Sequence, residues 1–134
     1  MSVSNTTTDD SLVQLPKNPL GYVAIVLALV TAVIHLLLAP RVIGFSQTLA
    51  ILFALNGLGF LGGVVLFLTR FWRRELYLVA AGYALVTVLA LFVFQGFGVD
   101  AFYMQGQLNP MAVGSKTAEV LLAVVAGYLY TSGS

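Results

Sequence analysis

The chain contains no cysteine and only one histidine. The lack of cysteine excludes disulfides, thiolate metal sites, cysteine nucleophiles and covalently attached c-type haem. The sequence also contains no phosphate-binding glycine loop, no histidine and glutamate pair at metal-binding spacing, and no nucleophile elbow. We therefore expect no metal, no cofactor and no enzymatic activity.

Charged residues are also scarce, at 8% of 134 residues, whereas a soluble domain contains about 25%. The formal net charge is +1, which argues against a nucleic-acid partner because nucleic acids bind to clustered lysine and arginine. Hydrophobic residues make up 60% of the chain. This composition excludes an ordinary soluble domain and predicts that the chain lies in a lipid bilayer.

Four long apolar runs make up most of the chain, at residues 21–39, 48–69, 76–95 and 111–130. Each can cross a bilayer, since a span needs about 20 mostly apolar residues to cover about 30 Å of hydrocarbon. The predicted fold class is therefore all-α, an integral membrane antiparallel four-helix bundle. We expect one domain at residues 17–131, preceded by a disordered cytoplasmic tail at 1–16 and followed by a short tail at 132–134.

Local signals predict the ends of these helices. Pro40 and Arg41 end the first helix, and Asn109 caps the fourth helix with Pro110 at its first position. The short links on either side of the second helix predict that consecutive helices are antiparallel neighbours. The longer connection at 96–110 carries several aromatic residues, and we expect it to lie on the membrane surface or to plug the mouth of the bundle.

The lysine and arginine residues near the ends of the spans predict the orientation. In a chain with four spans, both termini and the link between the second and third helices share one face. Cytoplasmic faces carry an excess of positive charge. We therefore predict a multi-pass protein of the plasma membrane with both termini in the cytoplasm. The cytoplasmic face would carry Lys17, Arg70, Arg73 and Arg74, against Arg41 and Lys116 on the other face.

A few polar side chains interrupt the apolar runs, and four of them fall at a similar depth in the outer half of the bilayer. Lipid tolerates such groups only when they find partners. His35 and Glu119 both lie in stripes of small residues, which mark helix–helix contacts in membranes. We therefore predict an intramembrane polar cluster of His35, Asn56, Lys116 and Glu119, with Tyr83, Thr87 and Gln95 as secondary members.

Three interpretations of this cluster remain open. In the first it is structural, with hydrogen bonds between helices fixing the register of the bundle and Lys116 paired with Glu119 at i, i+3. In the second, Glu119 and His35 pass protons or ions. In the third, the cluster lines a pocket for a quinone or a haem. A haem with two axial histidines would need a second copy or a partner subunit.

Three segments of the chain resemble an uncharacterised family of small four-helix membrane proteins from archaea and bacteria. They are Thr31-Ala32-Val33-Ile34-His35-Leu36, Leu55-Asn56-Gly57-Leu58-Gly59-Phe60 and Lys116-Thr117-Ala118-Glu119-Val120. The sparse acidic tail is similar to haloarchaeal sequences. The resemblance covers the membrane part, without the tail and the long connection. It implies a fold and no reaction, and it places His35, Asn56, Lys116 and Glu119 at signature positions.

The expected function is that of a small non-enzymatic membrane protein, either an accessory subunit of a larger membrane complex or a protein that assembles with itself. Gly59 and Gly63 form a GxxxG pair, which could serve packing within one chain or a homo-oligomer seam. The alternative is an oligomeric small transporter or a proton-coupled channel that uses the polar cluster. Transport would need at least a dimer, since four helices enclose little space.

Overall fold

The computed structural model describes residues 12–44, 46–95, 103–104 and 107–132. Within these residues the fold is all-α except for two strands of two residues each, β1 (Tyr103–Met104) and β2 (Gln107–Leu108), which pair antiparallel. Each of the described helices is long and apolar enough to cross a membrane. They are α1 (Leu20–Val42), α2 (Gln47–Phe67), α3 (Leu76–Gln95) and α4 (Pro110–Ser132).

Side-chain caps define the beginnings of two helices. The Oδ1 atom of Asn109 accepts hydrogen bonds from the backbone N–H groups of Met111 and Ala112 at 3.1 and 3.3 Å, which confirms the predicted cap of α4. Similarly, the Oγ atom of Ser46 accepts from the N–H of Leu49 at 3.1 Å. Each cap satisfies donors that have no partner within the first turn of a helix.

The predicted end of α1 is wrong by a few residues. Pro40 lies inside the helix, which continues to Val42. A proline removes one backbone donor, and a helix that is already close to its end can lose that bond and continue. The extra turn carries Arg41 towards the beginning of α4, where its Nη1 atom lies 3.8 Å from the Sδ atom of Met111.

The segment before α1 is ordered where the structure describes it. Val13 pairs with Thr69 in an isolated antiparallel bridge, the N–H of Gln14 donates to the carbonyl of Leu68 at 2.7 Å, and the N–H of Arg70 donates to a carbonyl in the same segment. The bond to Leu68 satisfies a carbonyl at the end of α2 that has no partner inside its helix. Residues 12–14 therefore differ from the predicted disordered tail, while residues 1–11 lie outside the described residues.

The helices pack in the order α2, α1, α4, α3. Helix α1 packs against both α2 and α4, and α3 packs against α4. Helices α1 and α2 come close together at Gly57, where an added Cβ atom would lie 2.8 Å from the Cγ atom of Leu36 and 3.0 Å from the carbonyl of Ala32. Small residues permit such close packing of backbones, as expected for helices that meet in lipid.

Helices α2 and α3 contact each other through side chains and not through closely packed backbones. Among the described helices these two do not pack closely along their length, although the link between them is short. Aromatic side chains fill part of the space instead, and the rings of Phe60 and Tyr83 meet edge to face with centroids 4.8 Å apart. Large rings hold the two backbones apart.

The two ends of the bundle have different residues. At the first end, which we call the arginine end, the link 68–75 carries Arg70, Arg73 and Arg74. The Nε atom of Arg74 donates to the carbonyl of Tyr130 at 2.8 Å, which joins this link to the end of α4. The opposite end, which we call the far end, holds the end of α1 and the beginning of α4. The long connection is predicted to lie on the membrane surface or to plug the mouth of the bundle, and its residues 96–102 and 105–106 lie outside the described residues.

Candidate functional site

A buried ion pair on α4 is the centre of the candidate site. The Nζ atom of Lys116 lies 2.7 Å from the Oε1 atom of Glu119. The two residues are three positions apart, so they share one face of the helix. Lys116 is 7% exposed and Glu119 is 0% exposed. Burial of one charge alone would be very unfavourable, and the pairing offsets part of that cost.

The second carboxylate oxygen of Glu119 contacts α1. The hydroxyl of Thr31 donates a hydrogen bond to its Oε2 atom, and the Nδ1 atom of His35 lies 3.8 Å from the same oxygen. Glu119 therefore joins α1 to α4. Thr31 was not among the predicted cluster residues. Thr31 lies four residues before His35 and therefore on the same helix face, and this spacing could have predicted that it joins the cluster.

His35 is held by its own helix and by aromatic rings. Its Nδ1 atom lies 2.8 Å from the backbone carbonyl of Thr31, and because a carbonyl only accepts, Nδ1 carries the proton and donates. In the neutral ring the Nε2 atom is then an acceptor, and it has no hydrogen-bond partner among the described residues. The ring of Phe53 meets the imidazole edge to face at a centroid distance of 5.4 Å.

Lys116 also connects the ion pair to α3. Its Nζ atom donates to the backbone carbonyl of Thr87 at 3.4 Å. The hydroxyl of Thr87 lies 3.1 Å from the Oδ1 atom of Asn56 on α2 and 2.9 Å from the carbonyl of Tyr83. The hydroxyl of Tyr83 donates to the backbone carbonyl of Asn56 at 3.0 Å. These contacts join α3 to α2 and complete a path across the bundle.

We call this set of side chains the polar network. The structure brings together the four residues predicted as the cluster and two of the three secondary candidates, and it adds Thr31. The side chain of Gln95, the third secondary candidate, is outside the described part of the chain. The described residues contain no group of three histidine, cysteine, aspartate or glutamate side chains that could hold a metal. The polar network consists of Thr31, His35, Asn56, Tyr83, Thr87, Lys116 and Glu119.

The chemistry available to the polar network is hydrogen bonding and proton exchange. One cation and one anion face each other, so the ion pair is neutral as a whole. The remaining members are hydroxyl, amide and imidazole groups, which can act as both donors and acceptors. A network of this kind can fix the positions of helices, and it can also hold and pass protons.

A second feature, an apolar cleft, lies between α2 and α3 on the arginine side of the polar network. It has a volume of about 160 Å³ and is open on one side. Gly59, Gly63 and Phe67 of α2 form one wall, and Leu76 and Tyr83 of α3 are on the other. The cleft exists because these two helices do not pack closely on each other.

Comparison with known protein families gives a match to most of the chain. The model of a family of unknown function, DUF7475, matches residues 6–130. The match is broader than the resemblance seen in the sequence, because it includes most of the tail and the long connection. No curated protein and no solved structure matches the chain.

Proposed function

We propose that this chain, which belongs to the family of unknown function DUF7475, is an integral membrane protein that acts without catalysis. It serves as an accessory subunit of a membrane complex or assembles with itself. One observation carries the proposal. Both partners of the ion pair in the polar network belong to this chain, and the carboxylate of Glu119 is completely buried.

The burial of the ion pair supports a structural role for the network. A catalytic or transporting carboxylate must meet its substrate, whereas both oxygens of Glu119 already have partners in Lys116 and Thr31. Buried polar groups that are fully partnered specify how helices pack. The network would therefore fix the positions of the described helices, so that their outer faces present one defined surface.

The outer faces of the helices support a location in lipid. Every described helix exposes large aliphatic side chains at its centre, which water would disfavour and which lipid or another membrane helix accepts. Examples from α1 to α4 in turn are Val26, Leu55, Val86 and Val124, which are 58%, 59%, 65% and 63% exposed. These faces are also the surfaces on which a partner or a second copy would pack.

The composition of complexes in native membranes tests this proposal. The chain is purified from those membranes in a mild detergent and its complexes are weighed by native mass spectrometry. The proposal predicts a stoichiometric membrane partner or a homo-oligomer. A monomer that co-purifies with no other protein would contradict it.

For the orientation, we propose that the arginine end faces the cytoplasm, on the basis of the positive charge that it carries. The absence of natural cysteine permits a direct test with two matched variants, Gln14→Cys and Gln107→Cys, both at exposed glutamines. In intact cells a membrane-impermeant maleimide should label Gln107→Cys and should label Gln14→Cys only after lysis. The reverse pattern would contradict the orientation.

Proton-coupled transport is the second candidate, and a specific contact favours it. The Nδ1 atom of His35 lies 3.8 Å from the carboxylate of Glu119, which is close enough for exchange through the hydroxyl of Thr31. Proton flux into liposomes along a pH gradient tests this function. Flux that is lost in Glu119→Gln and His35→Ala would support it, and flux no greater than in empty liposomes would exclude it.

A further inference from the structure

The apolar cleft between α2 and α3 has the shape of a site for a hydrocarbon chain. It extends along α3 from Leu76 to Tyr83, which is about 10 Å at 1.5 Å per residue. Its inner end is closed by Tyr83, whose hydroxyl already donates to the carbonyl of Asn56. Apart from the Nε1 atom of Trp72, which has no hydrogen-bond partner among the described residues, the walls are apolar, and they suit a chain of methylene groups.

The mouth of the cleft at the arginine end suits a negatively charged head group. Trp72 lies at this end of the cleft, between Arg70 and Arg73 in the sequence. Both arginines are exposed, and the side chain of Arg73 is 79% exposed and lies 4.0 Å from Glu75. Guanidinium groups bind phosphate oxygens through charge-assisted hydrogen bonds. Two exposed arginines thus lie within two residues of Trp72, which is on the wall of the apolar cleft.

Contacts between α2 and α3 argue against a protein helix as the occupant of the cleft. The rings of Phe60 and Tyr83 meet at a centroid distance of 4.8 Å, and those of Phe67 and Tyr77 meet at 5.8 Å. A helix with its side chains is about 10–12 Å across, so it cannot enter between two helices that touch in this way. The observed volume of about 160 Å³ accommodates part of one extended hydrocarbon chain instead. A second copy of this chain could cover the opening, but its helix could not enter.

We propose that the cleft binds one hydrocarbon tail of an anionic phospholipid whose phosphate contacts Arg70 and Arg73. This inference rests on the proposed membrane location. It is independent of the accessory or self-assembling role, because a bound lipid and a bound protein subunit are separate observations. The lipid would fill the space between α2 and α3 and hold these two helices in their observed positions.

The experiment compares phosphatidylglycerol with phosphatidylcholine of identical tails. The purified detergent-solubilised protein is titrated with each lipid, and bound lipid is counted by native mass spectrometry. We expect the dissociation constant for phosphatidylglycerol to be about tenfold lower, because its head group is anionic, whereas the cationic choline of phosphatidylcholine offsets the phosphate charge beside the arginines. The variant R70Q/R73Q should bind both lipids with the affinity that the unchanged protein has for phosphatidylcholine.

Two neighbouring glycines provide a matched pair of variants for the cleft itself. An added Cβ atom meets nothing within 4 Å at either Gly62 or Gly63, but only Gly63 is on the wall of the cleft. The leucine side chain of Gly63→Leu should fill the cleft. Because the hydrocarbon tail could then no longer be buried there, phosphatidylglycerol binding should weaken about tenfold or more. Gly62→Leu should bind as the unchanged protein does, with both variants retaining the same helix content by circular dichroism.

Two results would overturn the inference. Equal binding of the two lipids by the unchanged protein would contradict the preference for an anionic lipid at Arg70 and Arg73, and equal lipid binding by Gly62→Leu and Gly63→Leu would show that the lipid does not occupy the cleft. The same spectra give the number of protein subunits, so they test the lipid site and the proposed function separately. The unchanged protein could be an oligomer without bound lipid, and Gly63→Leu could be a monomer. That result would identify the cleft as a protein interface and contradict the lipid site.

Discussion

The far half and the arginine half of the bundle are held together by different interactions. In the far half the polar network crosses from α1 through α4 and α3 to α2, and it includes the buried pair of Lys116 and Glu119. In the arginine half the packing between helices is mainly aromatic, with Phe67, Trp72 and Tyr77 packed edge to face at centroid distances of 4.9–5.8 Å. The hydrogen bonds described there involve the link 68–75, which bonds to the segment before α1 and to the end of α4. The apolar cleft lies in this second half.

Under the proposed membrane location, this difference indicates what determines helix positions in lipid. Lipid tails are as apolar as leucine, so apolar contact between helices gains little over contact with lipid. Hydrogen bonds and close packing of small residues distinguish one arrangement from another. The far half has both hydrogen bonds and close packing of small residues, and its helices are tightly packed. The arginine half depends on aromatic rings, which leave the backbones of α2 and α3 apart. We therefore expect substitutions in the far half to reduce stability more.

The largest effect should come from Lys116→Met, which removes the cation and leaves the carboxylate of Glu119 buried. Breaking one partner of a buried ion pair costs about 3–5 kcal/mol. Stability can be measured by titration with sodium dodecyl sulfate in mixed micelles, followed by fluorescence of Trp72, the one tryptophan of the chain. The exposed Lys17 gives the matched control, and Lys17→Met should unfold at the same detergent fraction as the unchanged protein.

The double variant Lys116→Met/Glu119→Gln sharpens this result. Replacement of both partners of a buried pair is often neutral, because no uncompensated charge remains. The double variant should therefore recover most of the stability that Lys116→Met loses. If Lys116→Met and Lys17→Met were equally stable, the ion pair would not contribute to holding the far half together.

A smaller effect is expected for Gly57→Ala in the close contact between α1 and α2. The added methyl group would lie 3.0 Å from the carbonyl of Ala32, and overpacking of this kind costs about 1–3 kcal/mol. Gly63→Ala is the same substitution on the same helix, in the open half, where nothing lies within 4 Å. It should cost nothing in the same unfolding assay. Equal losses in both variants would contradict the contrast between the closed and open halves.

The smallest effect should come from Thr87→Val, which removes one hydroxyl that joins α3 to α2. Hydrogen bonds between helices in membranes contribute about 0.6 kcal/mol on average and up to about 1.7 kcal/mol. Thr117→Val on the exposed face of α4 is the matched control and should leave the unfolding midpoint unchanged. If Thr117→Val lost as much stability as Thr87→Val, the loss in Thr87→Val could not be assigned to its hydrogen bond with Asn56.

The sequence predicted the features that depend on local chemistry. Apolar length located the helices, and the Asn109 and Pro110 signal located the beginning of α4. The shared depth of His35, Asn56 and Glu119 was enough to predict that they come together, because unpaired polar groups in lipid must find each other. Spacing on α4 alone was sufficient to predict the pair of Lys116 and Glu119.

Other features depend on tertiary contacts, which local patterns do not contain. The short link 68–75 predicted that α2 and α3 are neighbours, but it did not indicate that the rings of Phe60 and Tyr83 hold their backbones apart. The polar composition of the tail did not indicate that residues 12–14 pair with the end of α2. Thr31 was missed because a threonine within an apolar helix often bonds only to its own backbone. Its role depends on a carboxylate 88 positions later in the chain.

The central claim is that Glu119 on α4 faces α1 and is bound there by Thr31. A double-mutant cycle with Thr31→Val, Glu119→Met and the double variant tests it, using the Trp72 unfolding assay. The unpaired Lys116 is present in both variants that lack Glu119, so its cost cancels. We predict an interaction energy of about 0.5–3 kcal/mol, as residues of one network show. Additivity within about 0.3–0.5 kcal/mol would place the two residues apart and contradict the account.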